Sequence, residues 1–209
     1  MVSVIGKTGS SIWALLIAAV FFSGCVAEPQ IQSSTLARPG ESLAAIRVLY
    51  LTNRLVSQRG SDKLVADAVY KDIPMRLSER VPAVFALNGI RTDYAISQNA
   101  DFRPDEATSS VKWGRHDELR SPLLVIQVTD GYSVVAHGNV SLVLNLHIAL
   151  HDIDRHTKLW NCKYRMGIGT LREISHGHEV VDKMLKAVLD QMARDGLIQL
   201  LGDAAVLPA

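Results

Sequence analysis

Seven histidines invite a metal hypothesis, and His147 with His151 is the pair whose spacing first suggests shared ligation. Two imidazoles four residues apart converge on one zinc, each nitrogen ~2 Å away, only when the spacing is a helical turn; along a strand the same interval spans ~13 Å. The flanking residues alternate strictly, with Leu142, Leu144, Leu146, Ile148 and Leu150 set against Ser141, Val143, Asn145, His147, Ala149 and His151. That is a strand pattern, so it predicts two polar side chains on one sheet face and no shared metal. His176-Gly177-His178-Glu179 could turn two imidazoles toward one point. A zinc site needs further donors, however, and polar residues opening a helix account for the same four positions. No metal and no other cofactor is expected.

Covalent chemistry finds as little support. Cys162 shares the parity of Trp160 and Tyr164 in a second alternating run, which predicts a buried, inert thiol rather than a nucleophile. A serine nucleophile would sit in a turn such as G-x-S-x-G, and neither that pattern nor HExxH, CxxC or a dinucleotide glycine signature occurs. Gly6-Lys7-Thr8 imitates the end of a phosphate loop but lacks the preceding glycine and lies in an N-terminal signal. No catalytic residue is assigned, and the chain is expected not to be an enzyme.

The elements that position these residues follow from periodicity. Ile46 to Thr52 is a compact apolar run of strand formers. Ser61 can cap a helix whose Leu64, Val65, Ala68, Val69, Ile73 and Leu77 recur on one face, with a break expected at Ile73-Pro74. Ala83 to Leu87 reads as a strand closed by Asn88-Gly89, residues 91–98 as an edge strand, and 99–120, with Trp113, as a long polar loop. Ser121-Pro122 opens LLVIQVT, a strand buried on both faces, which Asp130-Gly131 is expected to turn. The alternating run through Leu150 and the run Trp160, Cys162, Tyr164, Met166, Ile168 then form an antiparallel hairpin, since only a register that keeps both sets on one side buries them together, which places Lys163 or Arg165 across from His147. A last helix begins near Ser175, presents Val181, Met184, Leu185, Val188 and Met192, and stops at Gly196. The sum is an α+β two-layer sandwich: a mostly antiparallel sheet with a long C-terminal hairpin and two helices on one face.

Lysine and arginine total 22 against 21 for aspartate and glutamate, so no basic surface for nucleic acid is expected. At the N-terminus, Lys7 precedes an apolar segment from Ile12 to Phe22 that is shorter than the ~20 residues of a bilayer span, and Ser23 and Gly24 lead into Cys25. Phe22-Ser23-Gly24-Cys25 resembles the lipobox of bacterial lipoproteins. The resemblance implies lipidation of Cys25, cleavage just before it, and attachment to the membrane through acyl groups. Val26, in place of the aspartate that commonly retains such proteins at the inner membrane, implies an outer-membrane destination with the domain facing the periplasm. The expected organisation is a signal peptide over 1–24, a lipidated flexible tether over 25–44 lacking apolar periodicity, one α+β domain over 45–201 and a tail over 202–209. The other cysteine, Cys162, is left without an intramolecular partner.

RVLYLTNR followed by a helix, and VSLVLNLHIALHDIDRHTKLW with its turn from Asp154 to Trp160, resemble the domain of curli-export and penicillin-binding-protein-activator lipoproteins. That likeness implies a periplasm-facing binding or assembly domain without catalysis. The expected function is accordingly a non-catalytic, lipid-anchored accessory or assembly protein that binds another cell-envelope component, an envelope protein being the expected partner. A carrier of lipid or a small hydrophobic ligand, and an envelope hydrolase assembled from distant loops, are the alternatives. The polar face of the hairpin, with Asn145, His147, His151, Lys163 and Arg165, and the loop residue Trp113 are the candidate binding residues.

Overall fold

In a computed structural model, which describes residues 30–35, 43–52, 63–97, 122–136, 139–168 and 178–200, the elements run β1 (Gln30–Thr35), β2 (Ala45–Leu51), α1 (Lys63–Asp67), a π-helical turn (Ala68–Asp72), α2 (Ile73–Leu87), β3 (Arg91–Ser97), β4 (Leu123–Ala136), β5 (Asn139–Asp152), β6 (Thr157–Ile168) and α3 (His178–Arg194). The strands form one sheet in the order β1-β6-β5-β4-β2-β3. Only β2 is parallel to its neighbours, β3 and β4; the other pairs are antiparallel.

Alternation decides which side of the sheet meets the helices. Leu142, Leu144, Leu146, Ile148 and Leu150 of β5 and Trp160, Cys162, Tyr164, Met166 and Ile168 of β6 are all buried in one cluster with Val69, Leu77, Val81 and Phe85 of the first helical stretch and Val181, Leu185, Val188 and Met192 of α3. The expected hairpin is present with both sets on one side, as expected, and its register places Leu146 opposite Tyr164 and Ile148 opposite Cys162. Between the helices, Arg80 of α2 grips Asp182 of α3 through both carboxylate oxygens, its Nε at 2.7 Å from Oδ1. This is the α+β two-layer arrangement that the sequence implies. β4 begins as a strand buried on both sides, Leu123 to Ile126 being closed to solvent. On the side away from the helices Leu123 and Val125 join Leu49, Leu51 and Ala95 in a smaller cluster.

The break at Ile73-Pro74 takes a definite form. The Ile73 amide bonds to Ala68 O, one residue further back than in an α-helix, and Pro74 has no amide hydrogen to offer Val69 O. The orphaned carbonyl accepts the buried Tyr50 hydroxyl from β2 at 3.0 Å, so the irregular turn is satisfied by the sheet beneath it. Tyr94 of β3 donates likewise to Pro74 O at 3.1 Å.

Three local expectations are corrected. Ala83 to Leu87 is the last turn of α2 rather than a strand: Ile73, Leu77, Val81 and Phe85 continue a single buried face at four-residue spacing, and that periodicity outweighs the short apolar run. Asn88-Gly89 ends the helix, with Gly89 at φ 71° and the bonds Gly89 N to Ala86 O and Ile90 N to Phe85 O of a Schellman cap. Asp130-Gly131 does not turn the chain. A bulge between Val128 and Asp130 absorbs one residue and β4 continues to Ala136. Thirdly, Gln30–Thr35, inside the stretch expected to be a free tether, pairs with β6 as an edge strand, Gln30 opposite Arg165 and Thr35 opposite Trp160. A polar strand at a sheet edge needs little apolar periodicity, which is why composition alone read it as linker. Among the described residues no helix is long and apolar enough to cross a membrane. The signal at 1–24 with Cys25, the loop 99–120 with Trp113, His176 and the tail 202–209 lie outside the described residues.

Candidate functional site

The candidate residues stand on the sheet face turned away from the helices, because they occupy the alternate positions of β5 and β6. In the β5–β6 register His147 lies opposite Lys163 and Asn145 opposite Arg165. Five of the six candidates are thereby brought onto one face. His147 and His151 are four strand residues apart on it, and among the described residues no group of three or more metal-ligating side chains occurs.

Sequence reasoning missed three residues of this face. Lys158 lies opposite His151, placed there by a bulge after Leu150 that breaks the alternation. Gln32 of β1 lies beside Lys163, and Tyr132 of β4 accepts a hydrogen bond from Arg165 Nη2. The Tyr132 contact exists only because β4 runs on past Asp130, so no signal within β5 or β6 could reveal it. Asn145 Nδ2 donates to Asp130 Oδ2 at 3.4 Å, and the Asn145 carbonyl accepts from Thr129 Oγ1 at 3.0 Å, so the bulge itself braces the middle of the site.

Electrostatics divide the histidines from the cations around them. Desolvation first, then Lys158 and Lys163, lower the pKa of His147. Desolvation, Lys158 and His147 together push that of His151 down to about 4. Both imidazoles are neutral at pH 7, and the positive charge of the face is carried by Lys158, Lys163 and Arg165. Along the row that ends at His151, register places Leu123, Arg47 and Asp93 on successive strands. Arg47 and Asp93 are both buried there, so opposite charges lie side by side where the sheet is closed to water.

A cleft between the π-helical turn, β6 and α3, lined by Ala68, Ile73, Arg76, Met166, Ile168 and Val181, has a volume of about 20 Å³, close to that of one water rather than an acyl chain. Cys162 is buried as expected; burial, reinforced by Asp195, pushes its thiol up to about 12, far from a reactive thiolate at neutral pH.

No family model matches the chain, and no curated protein matches it. Among solved structures it is similar to the PelC dodecamer of Paraburkholderia phytofirmans, at 14% identity and a TM-score of 0.44, over 75% of this chain and 94% of that one. It is also similar to the lipoprotein GNA1162 of Neisseria meningitidis, at 19% identity and a TM-score of 0.34, over 72% of this chain and 99% of that one.

Proposed function

We propose that the protein is a non-catalytic accessory of the bacterial cell envelope, held at the outer membrane by acyl groups on Cys25, whose polar sheet face docks another envelope protein. The lipobox-like Phe22-Ser23-Gly24-Cys25 after a short apolar segment supports the address. The observation that carries the docking reading is the second sheet face. Helices cover one side, while Lys163 stands exposed on the other, flanked by half-buried His147, Asn145 and Arg165. A cationic surface on a chain of nearly balanced charge suits a partner with an acidic docking surface.

Two measurements test the two halves separately. Cys25→Ser should abolish incorporation of labelled fatty acid and leave an unprocessed precursor; unchanged labelling would remove the lipid anchor from the reading. The double substitution His147→Ala, Lys163→Ala should lower the yield of crosslinked envelope partner with a nearly unchanged melting temperature, because changes at such surface positions usually fall within ~0.5 kcal/mol. The same partners captured at the same yield would exclude this face.

A further inference from the structure

Gln30, the first residue of β1, lies opposite Arg165, near the end of β6. At that end of the sheet Leu142 lies opposite Ile168 and Ser133 opposite Leu142. Beyond that level the β4–β5 hairpin extends past the described residues of β6, with Val134 opposite Ser141 and Val135 opposite Val140. Around this end lie the exposed apolar side chains that the long strands show among the described residues: Val134, 42% exposed, and Val135, 71%, stand beyond the level of Ile168, and Tyr132, 37%, stands just before it, opposite Val143, which pairs with Gly167 of β6. They do not line one face. Tyr132 and Val134 share the side of Asn145, while Val135 has the parity of Leu142 and the helix-covered side. Apolar groups on both sides of a hairpin suit immersion in a fluid apolar layer better than docking against one protein surface.

The chain length fixes where that layer would be. Five residues lead from Cys25 to Gln30, which reach at most ~18 Å when extended. The Val135–Val140 pair lies five strand residues beyond the Asn145–Arg165 level at which Gln30 sits, or ~17 Å. Acyl groups on Cys25 can therefore lie at the depth of the hairpin end and hardly beyond it. The inference rests on the acylation of Cys25 proposed above.

We propose that the hairpin end bearing Tyr132, Val134 and Val135 dips into the headgroup region of the bilayer beside the acylated Cys25, as a second contact that fixes the orientation of the domain. Tyrosine suits that depth, with an apolar ring and a polar tip, and Arg165 holds the hydroxyl on the protein side. In this pose the strands run away from the membrane. The face of His147 and Lys163 looks sideways along it, and the turn at Arg155 lies at the opposite end of the long strands.

The test uses the full-length, acylated protein carrying Val135→Cys with an environment-sensitive fluorophore, and a second sample labelled at Arg155→Cys. Cys162 is buried and stays unlabelled. Each is reconstituted on vesicles of phosphatidylethanolamine and phosphatidylglycerol containing a lipid with a headgroup-depth nitroxide, and the mass of the N-terminal peptide reports acylation. The label at position 135 should shift to the blue and be quenched several-fold more than that at position 155. Equal quenching of the two in protein whose mass shows the acyl groups overturns the hairpin contact alone and leaves the anchor in place. A mass showing an unmodified Cys25 overturns the anchor and, with it, this placement of the hairpin.

Discussion

Trp160 of β6 donates its indole Nε1–H to Asp195 Oδ2, one residue past the end of α3, at 2.6 Å. The other carboxylate oxygen accepts from Gln191 Nε2 at 3.0 Å, and the same nitrogen reaches Ser33 Oγ of β1 at 2.8 Å. One buried indole thus connects β6, the last turn of α3 and the edge strand β1. Trp160 is fully buried, and Trp160→Ala should cost ~3–5 kcal/mol. Asp195→Ala, which leaves the indole in place without an acceptor, should cost ~1–3 kcal/mol. Denaturant titration checks both, and a loss in the alanine variant of Trp160 no larger than that of a surface change would contradict the packing.

The Tyr50 hydroxyl is asked to satisfy a carbonyl that the helix cannot. Tyr50→Phe removes it while preserving the ring, leaving Val69 O buried and unpaired, and stability should fall by ~1–3 kcal/mol. Faster amide exchange in the π-helical turn should accompany the loss. A neutral substitution would mean that Val69 O finds another donor.

Gly131 of β4 lies beneath Val65 of α1 and beside Leu144 of β5. A Cβ there would stand 2.6 Å from Leu144 Cδ2 and 2.9 Å from Val65 Cγ1, so two core side chains would have to move at once. Gly131→Ala is expected to destabilise by ~1–3 kcal/mol through overpacking, seen as a lower denaturation midpoint with an unchanged slope. An unchanged midpoint would show that Val65 yields freely.

What the sequence reveals depends on how each residue is used. The β5–β6 hairpin was legible because each strand has one helix-covered and one polar side, so alternation encodes the face; it leaves Lys163 or Arg165 across from His147, and the structure selects Lys163. Ala83 to Leu87 misled because five apolar letters fit a strand as well as the end of a helix; the distinguishing cue is Phe85, which extends the spacing of Ile73, Leu77 and Val81. Asp130-Gly131 misled for a different reason. The pair is a common hairpin turn, whereas here the Asp130 carboxylate accepts the Gly131 amide at 2.8 Å beside a bulge, and Gly131 is required for space. Tyr132 and the hairpin end were hidden by that one reading. β1 was hidden because Ile31 is its only aliphatic residue, and its place at the edge asks for no more.

The last prediction concerns the two imidazoles of the polar face. An unfolded histidine titrates near ~6.5, whereas His151 in the folded protein titrates at about 4 and His147 also below the ordinary value. As pH falls from 7, the unfolded chain takes up protons that the native state refuses, so protons favour unfolding and stability declines toward pH 4. Above the unfolded pKa both states hold neutral imidazoles and the penalty vanishes. The window from about pH 7 to 5 isolates this effect, since carboxylates titrate mostly below it. His151→Asn keeps a neutral polar side chain in place and should flatten the fall in melting temperature across that window, while leaving the value at pH 7.5 nearly unchanged. An identical pH slope in the variant would show that His151 is solvated rather than pressed between Lys158 and the sheet, and the cationic face would then gain charge from its histidines at mildly acidic pH.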